Sequence, residues 1–168
     1  YGNNFFYKID GMYAIAIFDN LNLKLNVFRD FSGIKPVYYF HSGETLIISS
    51  EIKPILFFIK NKKLNSRILL EFFSFQSVSA PNTFFKDVKA LEPNTLLSCF
   101  CENIKKIKLE RIIKKKSYLQ TNNEIDKQNE ILKLFKENIK NCWFNDRKTG
   151  LLLSGGVDSG LILSISHK

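Results

Sequence analysis

Three leucines, Leu151 to Leu153, run straight into Ser154-Gly155-Gly156-Val157-Asp158-Ser159, and a second apolar run opens at Leu161. Few architectures accommodate that order. It predicts a short buried strand of parallel type, a tight turn and the start of a helix. A helix N-terminus carries unpaired N–H groups and the positive end of the macrodipole, so it is a natural seat for phosphate. The two glycines permit positive φ and let an anion approach the amides without a Cβ in the way. Ser154 and Ser159 add hydroxyl donors to the same concavity. Asp158 has two roles open to it: capping the first helical turn, or holding a Mg²⁺ that bridges phosphates. Gly and Ser are common turn residues, and an unliganded strand–turn–helix is the competing interpretation. At about 7% usage for each, however, Ser-Gly-Gly-x-Asp-Ser arises by chance on the order of 10⁻⁶ per start position.

Upstream, the apolar pattern changes from helical to strand-like. Gly11 to Asp19 is apolar almost throughout, as for a strand packed on both faces. Asn20 to Asn22 reads as a turn, and Leu23 to Phe28 alternates with period two. Gly33 to Phe40 predicts a third strand, which Pro36 confines to an edge or to the strand's first residues. His41 to Glu44 reads as a turn, with His41 a solvated surface residue, and Leu46 to Ser50 as a fourth strand. Together these predict an antiparallel meander. Helices are expected over Glu51 to Ile59 and over Ser66 to Ser77, the latter with Ser66 as N-cap. Strands follow over Thr95 to Phe100 and Ile104 to Ile112. Asn122 or Asn123 caps a further helix with Asp126 near its third position. Its stripe is Ile125, Ile131, Leu132, Leu134, Phe135, Ile139 and Trp143. The fold class is therefore α+β over residues 1–118, followed over 119–168 by the start of an α/β domain, with the boundary near Lys116-Ser117-Tyr118.

Composition narrows the partners. The net charge of +9 suggests nucleic acid, but the excess is lysine, alongside abundant Asn, Ile and Phe. Within the basic run, Lys105, Lys106, Lys108, Arg111 and Lys114 to Lys116 are interleaved with Ile107, Leu109, Ile112 and Ile113. A strand with one solvated face explains that as well as a phosphate groove does, so nucleic-acid binding is disfavoured. The longest apolar stretch, Ile55 to Ile59, falls far short of the ~20 residues that span a bilayer, and no membrane partner is expected. Cys99, Cys101 and Cys142 make an odd count without metal-type spacing. They are read as free buried thiols of a cytoplasmic protein, with Cys99 and Cys101 on one strand face.

Two resemblances give these patterns a function. Ser154 to Ser159 resembles the pyrophosphate loop of the ATP-pyrophosphatase family. Many relatives carry a second hydroxyl residue where this chain has Gly160, which removes a possible donor and loosens the first helical turn by up to ~1 kcal/mol. Asp10 to Asp19, then Arg29-Asp30 with Gly33, Pro36 and Tyr39, then Ser49 to Lys53, resembles the later half of a class II glutamine amidotransferase domain. That family has the N-terminal-nucleophile fold, two stacked β-sheets between helices. Pro81, Thr83 and Phe85, followed by Leu91-Glu92-Pro93-Asn94, extend the resemblance, with Asn94 where Gly is usual; both residues tolerate the left-handed conformation. Arg29, Asp30, Gly33 and Pro36 are expected to shape a turn and pair charges.

An amidotransferase domain followed by a pyrophosphate loop is the order found in the family of glutamine-hydrolysing asparagine synthetases. The resemblance implies ATP-dependent amide formation from aspartate, with ammonia from glutamine and with AMP and pyrophosphate as products. Its cofactors would be ATP and Mg²⁺. The nucleotide-binding residues carried over are Leu153, Ser154, Gly155, Gly156, Asp158 and Ser159; no metal ligand is assigned. No catalytic residue is carried over, because the family's nucleophile is an N-terminal cysteine and position 1 here is Tyr1. On this interpretation the chain is a middle piece, inactive alone, with an open sheet edge and exposed aromatic residues Phe5, Phe6, Tyr7, Phe57 and Phe58. A homodimer or a complementary chain is left open. So are a related amidotransferase acting on another carboxylate, such as a sugar acid, and a non-catalytic remnant.

Overall fold

The computed structural model describes residues 5, 6, 8–104, 107–111, 123–143 and 150–166. The chain divides into two compact units, Tyr1–Lys114 and Lys115–Lys168. In the first, strands β1 (Ala14–Asp19), β2 (Lys24–Arg29), β3 (Tyr38–Ser42) and β4 (Thr45–Ser49) precede helices α1 (Ile52–Phe58) and α2 (Ser66–Phe75). Strands β5 (Val88–Ala90), β6 (Thr95–Phe100) and β7 (Ile107–Arg111) complete it. In the second, α3 spans Glu124–Trp143 and α4 spans Val157–Ser166.

The two hairpins form where the turns predict them, but they do not make one meander. β1 and β2 join a four-stranded sheet in the order β1-β2-β6-β7, while β3 and β4 join a three-stranded sheet in the order β4-β3-β5. All pairings among the described residues are antiparallel. The strand period explains the layering, since alternate residues serve opposite faces. Val27 and Leu97 of the first sheet meet Tyr39 of the second in one core, closed by Val37 and Leu91. On the other face of the first sheet, Phe28 and Leu96 pack with Phe6, whose ring stacks on Phe28 at 4.0 Å. On the outer face of the second, Val88 packs with Ile55 and Ile59 of the α1 region.

Several expectations need correction. β1 is an edge strand rather than one packed on both faces, and Phe18 is 48% exposed. Phe6 is buried rather than exposed, because it fills the outer layer over Phe28; Phe57 and Phe58 are exposed as expected. His41 belongs to β3, so the turn shrinks to Gly43 and Glu44. α2 begins at Ser66, which leaves Asn65 in the cap position. Cys101 opens a 3-10 turn after β6, which takes it off the face of Cys99; Cys99 is buried, whereas Cys101 and Cys142 are exposed, and all three are free thiols. Lys108 pairs with Glu110 on β7. Tyr7, Lys105, Lys106, Ile112 to Asn122 and the expected boundary at Lys116 to Tyr118 lie outside the described residues.

Candidate functional site

The phosphate-type loop is built by the entry to α4. Gly155 takes φ +80°, a conformation that a β-branched residue adopts only under strain. A Cβ added there would meet nothing within 4 Å, so the requirement lies in the backbone and not in packing. The turn carries the chain into α4, whose first helical bond runs from the Gly160 N–H to the Gly156 carbonyl at 3.1 Å. Helix geometry leaves the amides of Val157, Asp158 and Ser159 without an intrahelical acceptor. Two hydroxyls flank them: Ser154 Oγ and Ser159 Oγ lie 3.2 Å apart. The Ser159 hydroxyl donates to the Gly156 carbonyl at 3.1 Å, and the Gly156 N–H donates to Ser154 Oγ at 3.4 Å. The result is an exposed set of N–H donors, with the Ser154 hydroxyl beside them, at the positive end of a ten-residue helix.

Ser154, Gly155, Gly156 and Ser159 thus come together as the pattern predicts, and Leu153 leads into the loop with 56% exposure. Asp158 is the second residue of α4, inside the helix rather than ahead of it, and its carboxylate accepts no hydrogen bond among the described residues. It stays near the helix dipole's positive end and free to face solvent or a cation. Val157, not singled out by the pattern, contributes an amide whatever its side chain, which is why the sequence gives no sign of it. The expected strand is absent: Leu151 to Leu153 join no ladder among the described residues, and Leu152 is 94% exposed. A parallel strand needs a neighbour to satisfy its backbone groups, and the described part of this unit contains only helices. α3 is capped as foreseen, the Ile125 N–H donating to Asn123 Oδ1 at 3.1 Å, and it packs against α4. Ile125, Ile131 and Phe135 on its stripe remain partly exposed.

Gly160 sits in the first turn of α4 with open space around it. Gly160→Ala is therefore expected to raise the stability of the α4 segment by up to ~1 kcal/mol without touching a neighbour. Slower amide exchange along Leu161 to Ser164 would register it, and unchanged or faster exchange would refute it.

In the first unit, Arg29 and Asp30 direct their hydrogen bonds to the backbone and not to one another, correcting the expected charge pair. Arg29 donates to the carbonyls of Lys35 at 2.9 Å, Gly33 at 2.6 Å, and Leu91. Asp30 is 1% exposed, and its carboxylate accepts the amides of Ser32, Ile34 and Lys35 at 3.1, 3.0 and 2.9 Å. Its own carbonyl accepts the amides of Gly33 and Asn94, the latter at φ +55°. Gly33 takes φ +67°, and a Cβ there would lie 2.7 Å from Pro93 Cγ. This hub binds the β2–β3 connection to the turn before β6. Burial pushes the Asp30 carboxyl upward, but the backbone N–H groups of Lys35, Ile34, Gly33 and Ser32 outweigh it and hold the group below its ordinary value of 3.8.

Against known proteins, residues 1–110 match the family model described as a glutamine amidotransferase domain, and residues 130–168 match the one described as asparagine synthase. Asparagine synthetase [glutamine-hydrolyzing] 1 of Bacillus subtilis is 28% identical over 167 residues, covering 96% of this chain and 25% of the relative. Putative asparagine synthetase [glutamine-hydrolyzing] 2 of Methanocaldococcus jannaschii is 27% identical over 166 residues, covering 96% of this chain and 32% of the relative. The chain thus spans between a quarter and a third of the length of these two curated relatives.

Proposed function

The chain belongs to the glutamine amidotransferase domain family, and from that premise we propose that its two matched segments serve one reaction, ATP-dependent amide formation on the side-chain carboxylate of aspartate. Glutamine would supply the ammonia, and AMP and pyrophosphate would leave. The observation that carries this reading is the succession, in one chain, of an amidotransferase match and an asparagine synthase match that contains the donor-lined loop. The chemistry requires both parts: a carboxylate does not react with ammonia until it has a good leaving group, and adenylation provides one.

The loop residues suit the pyrophosphate portion of ATP. The N-terminal amides of α4 donate, the Ser154 hydroxyl adds a donor, the Ser159 hydroxyl would join them on turning away from the Gly156 carbonyl, and Gly155 keeps a side chain out of the anion's approach. A Mg²⁺ bound with the nucleotide would neutralise phosphate charge, and Asp158, exposed in the first turn of α4, is the carboxylate that would hold it. For glutamine hydrolysis this chain's cysteines are unsuited. All three are internal residues whose nitrogen is in a peptide bond, and burial, reinforced by Cys101, pushes the Cys99 thiol up. No helix among the described residues is long and apolar enough to cross a membrane.

The experiment is a loop graft. Leu153 to Ser159 would replace the aligned segment of the Bacillus subtilis relative, and asparagine formation would be followed. Retained formation is expected, and its loss in a folded graft would sink the assignment. Asp158→Asn within that graft should lower activity, with added Mg²⁺ restoring part of it. Failure of Mg²⁺ to restore any would remove the metal role from Asp158.

A further inference from the structure

β5 is an edge strand, and its Lys89 stands directly opposite Tyr39 of β3. Paired residues share a sheet face, so Lys89 lies on the face that Tyr39 presents to the first sheet. β7, at the edge of that first sheet, supplies Ile107. Between these two edges is a cavity of about 550 Å³, a size typical of small-molecule sites. Tyr39, Ile59 and Ile107 give it apolar walls, while Lys86, Lys89, Asn61, Asp87 and His41 bring polar groups to it. Neither lysine forms an ion pair among the described residues, with Asp87 or any other carboxylate. The lining thus carries two ammonium groups against the single carboxylate of Asp87, a net positive charge beside apolar walls. His41 is held differently. One ring nitrogen, Nε2, lies 2.7 Å from the Ile104 carbonyl, which can only accept, so Nε2 carries the proton. In the neutral ring, Nδ1 is then left as an acceptor.

We propose that this cavity binds a small organic dianion, a phosphate monoester or a dicarboxylate, through Lys86 and Lys89. The Asn61 amide adds a donor, and His41 Nδ1 takes a hydroxyl of the same ligand. The site lies wholly in the first unit and does not depend on the loop at α4. The test titrates the full chain with inorganic phosphate and, separately, with succinate while the imidazole protons are followed by NMR. The chain has only two histidines, and His41→Gln identifies the relevant signals. A saturable shift of the His41 signals is expected. Response to phosphate alone assigns the phosphate class, response to succinate alone the dicarboxylate class, and response to both a site selecting charge. The double variant Lys86→Gln/Lys89→Gln should weaken binding at least about tenfold, as loss of charge-assisted hydrogen bonds implies, and Lys86→Arg/Lys89→Arg should recover most of it. Lys53→Gln, an exposed lysine on α1, should leave it unchanged. No shift with either probe, or equal weakening by Lys53→Gln, would overturn the proposal.

Discussion

Gly155→Val is expected to abolish asparagine formation in the grafted Bacillus subtilis relative while leaving glutamine hydrolysis near its starting rate. The first reason is conformational. Gly155 sits at φ +80°, where a β-branched residue is strained by roughly 1–3 kcal/mol. Relieving that strain means rotating the turn, which swings the amides of Val157 to Ser159 away from a common focus. The second reason is steric. The space where the new side chain would stand is open in the protein, so nothing but the incoming anion would meet it. Strain of ~2 kcal/mol alone corresponds to about thirtyfold in affinity, and obstruction of the anion adds to it. The same substitution in this chain should leave α4 intact by circular dichroism, since the first helical bond, from Gly160 to Gly156, does not involve residue 155. A correctly folded variant that still forms asparagine at the graft's rate would show that the loop holds no phosphate.

Asp30→Ala is expected to destabilise the first unit by about 3–5 kcal/mol, because the amides of Ser32, Ile34 and Lys35 lose their acceptor in one step. Against a total of ~5–15 kcal/mol for a domain, that is a large fraction, and a drop in melting temperature of ~15 °C or more should follow. Asp30→Asn keeps one acceptor oxygen and should fall between. The pH dependence follows from the direction of the shift. The folded carboxyl titrates below its ordinary value of 3.8, so its stabilisation is fully present above that pH and is lost as the pH falls through the lower folded value. Melting curves of the parent and Asp30→Asn should therefore differ most near neutrality and converge in acid. A constant gap down to pH 2.5 would mean that Asp30 acts by shape and not by charge.

The hairpins, the helices over Ile52–Phe58 and Ser66–Phe75, the cap at Asn123 and the loop from Ser154 to Ser159 were all legible in the sequence. Each is decided by neighbours a few residues apart: turn chemistry, apolar period, a side-chain oxygen beside the first free amides. Asn94 belongs with them: it stands where the resembled family usually has Gly, and it takes the left-handed backbone that both residues tolerate. What the tertiary structure decided is of longer range. Nothing local to Gly11–Asp19 says that it forms a sheet edge, because an apolar run looks the same whether or not another strand covers it. The split of the two hairpins between sheets rests on β2 pairing with β6 and β3 with β5, partners some fifty or more positions away. The cavity holding His41, Lys86 and Lys89 joins residues more than forty positions apart, with no shared period to announce them. The three leucines before the loop make the same point in reverse. Their composition is that of a strand, but a strand is a property of two segments, and only the fold can provide the second.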